Sequence, residues 1–179
     1  MSSVHFLAAL VSPLLLVGGV APPGAAPVPR VRAMALVVGL DITVPPTASL
    51  GAGVAGATLS RSLGTVTVTD TRSVNPNTWT ATVSATAFVT AGGGAGKTIA
   101  TTQVSYWSGP VTKQTGGGTK VPGQLTAAQA VTLTVPRVAF SKTTGNGHNS
   151  VSWAPTLRVA IPVGVVVGVY SGTITHSVA

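Results

Sequence analysis

From Leu63 to Phe88 the chain reads LGTVTVTDTRSVNPNTWTATVSATAF, and both halves of this stretch alternate with period two. Val66 and Val68 alternate with Thr65, Thr67 and Thr69; Trp79, Ala81, Val83 and Ala85 alternate with Thr80, Thr82, Ser84 and Thr86. Successive side chains of a strand point to opposite faces, so the pattern predicts two half-buried strands, one on each side of a turn-rich centre. That centre, 70–77, holds Asp, Ser, Pro and two Asn, and it predicts a chain reversal, a hairpin with a longer loop. Trp79 is the largest apolar side chain of the stretch and is the predicted core anchor.

The same periodicity recurs along the chain. Leu36, Val38, Leu40, Ile42 and Val44 share one parity in a predicted strand that Pro45-Pro46 stops. Residues 50–59 are small and glycine-rich, a connector or weak strand. In 98–107, Val104 and Tyr106 take one parity and Ile99, Thr101 and Trp107 the other. Residues 113–123 read as a glycine-rich loop, 126–135 as a strand with Val131, Leu133 and Val135 inward, and 141–149 as a polar loop. Val151, Trp153, Leu157, Val159 and Ile161 share a parity that Pro155 interrupts, which predicts a bulge or an edge position there. Residues 162–168 form an apolar turn, and the closing strand sets Tyr170, Ile174, His176 and Val178 on one side. Trp153 and Tyr170 join Trp79 as predicted structural anchors. No stretch keeps helical periodicity over three turns. The expectation is an all-β fold, an antiparallel, immunoglobulin-like β-sandwich of about seven to eight strands.

The N-terminal part departs from this pattern. Residues 6–21 are almost wholly apolar, with Pro13 inside them, and fall short of the ~20 apolar residues that span a bilayer. They read as the hydrophobic region of a secretory signal, with Gly24-Ala25-Ala26 and Val31-Arg32-Ala33 each placing Ala before a possible cut. An unusual feature is that no Lys or Arg precedes Phe6. Residues 1–33 are thus expected to be a signal peptide and short linker, and 34–179 a single secreted domain with no stable membrane span after cleavage. The chain has no cysteine, so no disulfide supports the fold in an oxidising compartment.

Composition narrows the chemistry. Ten Lys and Arg face two acidic residues, Asp41 and Asp70, for a net charge of +8. Asp41 lies in a predicted strand, and Asp70 reads as a turn residue bonding nearby amides or Arg72, so neither pairs into an acid–base couple. His148 sits in a Gly/Asn loop and reads as solvated. His176 shares the parity of apolar neighbours and reads as an interior or interface residue. Two histidines with no cysteine make a poor metal set, and no Gly-x-Ser-x-Gly motif is present. In AGGGAGK, 91–97, Ala91 stands where a phosphate loop needs its first glycine and a strand follows, so the run reads as a hairpin tip. These readings give a non-enzyme without metal or cofactor. Basic residues are scattered singly, which argues against nucleic acid. They favour anionic surfaces such as wall polymers, the alternative being charges that only keep the surface soluble. Tyr106 and Trp107 are candidate ligand contacts, with Trp153 as a third member of a stacking platform; the competing reading puts these rings in the core.

Two segments carry a family resemblance. The first is Val68-Thr69-Asp70-Thr71-Arg72, a short loop, then Trp79-Thr80-Ala81 leading to Phe88. The second is Leu157-Arg158-Val159-Ala160-Ile161-Pro162 ahead of Tyr170-Ser171-Gly172-Thr173-Ile174-Thr175. Together they resemble the WxL-type domain of Gram-positive surface proteins. The first Trp-x-Leu here reads Trp79-Thr80-Ala81, and His176-Ser177-Val178 stands in place of the second. The resemblance implies a β-sandwich held non-covalently at the cell wall, with peptidoglycan, a wall polymer or other surface proteins as partners. A carbohydrate-binding module and a surface-layer or filament subunit joined by strand addition are the alternatives.

Overall fold

The computed structural model describes residues 4–9, 34, 35, 39–92 and 94–179. Its strands are β1 (Val4–Ala9), β2 (Met34–Ala35), β3 (Leu40–Thr43), β4 (Thr47–Gly53), β5 (Thr58–Ser62), β6 (Val66–Asp70), β7 (Trp79–Ala85), β8 (Phe88–Val89) and β9 (Thr98–Ile99). They continue with β10 (Val104–Trp107), β11 (Val111–Thr115), β12 (Lys120–Pro122), β13 (Val131–Thr132), β14 (Arg137–Lys142), β15 (Asn149–Trp153), β16 (Thr156–Ala160) and β17 (Val169–Val178). Single 3-10 turns at Thr101–Gln103 and Ala127–Gln129 are the helical elements among the described residues.

One large sheet runs β12-β14-β7-β17-β1-β4, with β2 and β8 also on β17 and β9 on β8. Two four-stranded sheets run β13-β10-β16-β5 and β11-β15-β6-β3. The small sheets share their strands end to end: β5 runs into β6 through 63–65, β10 into β11 through 108–110, and β15 into β16 through 154 and 155. Each crossing carries a residue that interrupts a ladder. Pro155 has no N–H to give, and its carbonyl instead accepts from the Leu63 amide at 2.8 Å. Gly64 takes φ +87°, a backbone state that side chains rarely adopt. Together the small sheets face the large one. Phe140 of β14 stacks on Trp153 of β15 at 4.9 Å between ring centroids, and His176 of β17 meets Tyr106 of β10 at 5.7 Å. The result is an all-β sandwich, antiparallel except where β1 and β2 run parallel to β17.

Alternation reads directly as burial. In β6, Val66, Val68 and Asp70 are buried; in β7, Trp79, Ala81 and Val83; in β17, every second residue from Tyr170 to Val178. The anchors Trp79, Trp153 and Tyr170 are all in the core. The glycine-rich run 91–97 is the tip of the β8–β9 hairpin, and Pro155 breaks the β15–β16 segment.

Other expectations are corrected. The β6 and β7 strands do not pair as a hairpin: β6 lies between β3 and β15, and β7 between β14 and β17 in the opposite layer. The loop between them is an inter-sheet crossing. Residues 50–59 contain parts of two strands, and the predicted loop 113–123 holds the end of β11 and all of β12 on either side of Gly116–Gly118. The predicted strand 126–135 shrinks to β13, preceded by a 3-10 turn that Thr126 and Gln129 cap reciprocally; Leu133 is buried, but Val135 is exposed. Strands outnumber the expected seven or eight because turns, bulges and sheet crossings divide the longer alternating runs. The predicted signal region mostly lies outside the described residues, as do Leu36 and Val38; of it, Val4–Ala9 forms strand β1.

Candidate functional site

The outer face of the β13-β10-β16-β5 sheet carries one of the candidate contact residues, Trp107. Because Val104 and Tyr106 point inward, Ser105 and Trp107 point outward. Register then fixes their neighbours: Ser105 lies opposite Thr132 on one side and Arg158 on the other, and Trp107 opposite Thr156. Arg158 faces Ser60, and Thr156 faces Ser62, on β5. Trp107 and Arg158 are diagonal neighbours across the ladder, and the guanidinium lies 5.2 Å from the centroid of the indole. Both side chains are half-buried, so each keeps an accessible surface. A cation over the face of Trp is held by the ring quadrupole, by ~0.5–1 kcal/mol at exposed sites. The face thus presents one aromatic ring, one fixed cation and a surround of hydroxyls.

Tyr106 is not part of that face. It is fully buried, and its hydroxyl sits 3.2 Å from His176 Nε2 and 3.4 Å from Trp153 Nε1. The indole N–H donates to the phenolic oxygen, and the phenol and Nε2 share a further hydrogen bond whose direction follows the histidine tautomer. Nδ1 has no partner among the described residues. Desolvation pushes the Tyr106 hydroxyl above the usual phenol range and holds His176 down at about 4, so the ring is neutral in the fold. Tyr106 as a ligand contact is therefore corrected: the pleat that turns Trp107 outward turns Tyr106 in. Trp153 likewise lies in the core, outside any surface platform. His176 is interior, as its parity predicts, and His148 is exposed in its loop.

A second polar cluster closes one end of the sandwich around Trp79. Asp70 is buried, and Arg72 grips it with Nε at 2.9 Å and Nη2 at 2.8 Å, while the Arg72 amide donates to the same carboxylate at 3.0 Å. Burial works to raise the Asp70 carboxyl, but hydrogen bonds and charge from Arg72, with help from Asn149, outweigh it and hold the group below its usual range. Arg72 also donates to the Thr78 carbonyl at 2.8 Å, and Asn77 donates to the carbonyls of Arg72 at 2.9 Å and Gly147 at 3.2 Å. Trp79 Nε1 donates to Asn149 Oδ1 at 3.0 Å. Lys142 is buried, with its ammonium on the carbonyls of Asn77 and Gly145. Burial, then the nearby charge of Lys120, lowers its pKa. These contacts pin 71–78 to 143–149. A shallow groove of about 600 Å³ lies beside them, lined by Thr78, Trp79, Thr80, Ser141, Thr143 and Ala179 among others. The ammonium is turned into the protein and Trp79 is only 3% exposed, so the cluster is architecture and offers a ligand little chemistry.

The sequence marks Trp107 but not its partner. Arg158 lies between inward Leu157 and Val159, so its outward direction was available; that it meets Trp107 depends on the β10–β16 register, which the sequence does not state. Among the described residues no three His, Cys, Asp or Glu side chains gather as a metal site, and no helix is long and apolar enough to cross a membrane. No protein-family model matches the chain, and no curated protein sequence does.

Proposed function

We propose that this is a secreted, non-catalytic, WxL-like surface domain that associates non-covalently with the cell wall through the outer face of the β13-β10-β16-β5 sheet. The observation that carries the reading is the Trp107–Arg158 pair, an aromatic ring beside a fixed cation on a hydroxyl-rich face. An indole face packs against the C–H face of a sugar ring. A guanidinium pairs with phosphate or carboxylate, and Ser and Thr hydroxyls bond sugar hydroxyls. A polymer that alternates sugar and anion would engage all three.

The wider charge pattern supports an anionic ligand. Asp70 is neutralised inside by Arg72, which leaves Asp41 as the exposed carboxylate among the described residues. Arg61 and Lys113 are exposed, and Lys97, Lys120, Arg137 and Arg158 partly so. The field outside the domain is therefore positive, and it draws polyanions toward the site.

The test is co-sedimentation of purified protein with insoluble peptidoglycan, with and without its attached anionic polymers. Salt rising from 0.1 to 1 M shortens the Debye length from about 10 to about 3 Å, so a charge-led interaction weakens steeply. Binding is expected with the polymer-bearing wall and to fall on Trp107→Ala and on Arg158→Ala, with folding of both variants checked by urea midpoint. Sedimentation with neither material would discard wall binding and favour a surface subunit.

A further inference from the structure

We propose that the gap between β17 and β4 is a strand-acceptor site, whose ligand is an extended, uncharged, apolar peptide segment. Its resident ligand is the chain's own Val4–Ala9, and a free segment of the same chemistry exchanges for it. The site is one strand wide and double-sided. On one side, residues 5–9 pair in parallel with 169–173 of β17, from His5 opposite Val169 to Ala9 opposite Thr173. On the other, residues 4–9 pair antiparallel with β4, from Val4 opposite Gly53 to Ala9 opposite Thr47, with one irregularity between Phe6 and Leu7.

Two further features argue that this gap is built to be filled. Among the described residues, β4 has no neighbour in its sheet except β1. Without an inserted strand, β4 and the start of β17 would both present bare ladders of N–H and C=O groups. Proteins usually guard such edges with Lys, Pro or a short strand. Here β4 reads TASLGAG and 169–173 reads VYSGT, with no charge and no proline in either. Unguarded edges facing each other across one strand's width form a receptor for backbone pairing, the mode in which a peptide gains affinity from main-chain bonds and specificity from its alternate side chains. The resident segment VHFLAA itself carries no Lys, Arg, Asp, Glu or Pro. It belongs to the region read as a removable leader, so export would vacate the site, and the partner would be a surface polypeptide bearing a similar strand.

The experiment uses the full chain with a protease site introduced within residues 22–33. After cutting, the N-terminal fragment is expected to co-elute with the domain on gel filtration. A fluorescent peptide spanning 3–10 should then replace it, read by anisotropy and by mass of the displaced fragment. The same peptide with Leu7→Pro, which removes a ladder donor, should bind roughly tenfold more weakly or worse. Loss of the fragment with no peptide uptake would overturn the proposal. So would a fragment that never exchanges, or a domain that unfolds on cutting and is not restored by peptide, since the strand would then be fixed core. No wall material enters the assay, so its outcome is separate from that of the wall-binding reading.

Discussion

Acid should destabilise this domain through His176, and the size of the effect follows from its surroundings. The ring is fully buried between Tyr106 and Trp153, with Nε2 hydrogen-bonded to the phenol. Its pKa in the fold is about 4, against 6.5 when free, because burial opposes the imidazolium. The sign follows from proton counting. Above pH 6.5 the ring is neutral folded and unfolded, so it adds no pH dependence. Between 6.5 and about 4 the unfolded chain binds a proton that the folded chain refuses, and stability drains away. At about 1.4 kcal/mol per pKa unit, the loss reaches roughly 3 kcal/mol near pH 4, and this group adds little below it. Urea unfolding of the wild type and of His176→Phe, at intervals from pH 7.5 to 3.5, isolates the effect, since all other titrating groups are common to both. The variant gives up the bond to Tyr106 and should be the less stable protein at pH 7. The stability of the wild type relative to the variant should then fall by roughly 3 kcal/mol as the pH drops to 4. Parallel pH curves would refute the assignment of His176 as a buried neutral ring.

Three other outcomes can be checked by the same unfolding measurements. Trp79→Ala should cost about 3–5 kcal/mol through lost packing, whereas Trp79→Phe should lose mainly the bond to Asn149, about 1–3 kcal/mol; a Trp79→Ala loss under roughly 1 kcal/mol would mean the indole is not a core anchor. Arg72→Ala strands the Asp70 carboxylate in the interior and should cost about 3–5 kcal/mol, and adding Asp70→Asn should recover part of it; no recovery would count against the buried pair. Gly118→Ala places a side chain at φ +93° with its Cβ on the Thr144 carbonyl oxygen, so a loss of about 1–3 kcal/mol is expected, and a neutral result would contradict that close approach.

Burial was more legible in the sequence than pairing. Period two marks Val66, Val68, Trp79, Ala81 and Val83 as inward because side-chain alternation is a local property of a strand. That β6 and β7 belong to opposite layers is set by partners distant in sequence, β15 and β14, and by the Arg72–Asp70 grip on the loop; a turn-rich spacer between two strands reads alike for a hairpin and for a crossing. Tyr106 and Trp107 make the same point at the candidate site. Adjacent residues in a strand cannot share a face, so one of the two had to be interior, and the inward parity of Val104 identifies Tyr106. Lys142 ran against its residue type, since a buried ammonium depends on carbonyls supplied by Asn77 and Gly145, and nothing near it in sequence announces them.

The central place of β17 in the large sheet has a consequence for synthesis. The Thr82 and Ser177 hydroxyls that meet across the β7–β17 ladder are 95 residues apart in the chain. At a translation rate of about 5–20 residues per second, β7 waits some 5–20 s for that neighbour to be made. During the interval the edge of β7 that β17 will cover is open. One face of the same strand carries Thr80, Thr82 and Ser84, which keep one side of the nascent segment wettable. Closure of the large sheet is thus a late event in synthesis, completed only after β14 has already joined the other edge of β7.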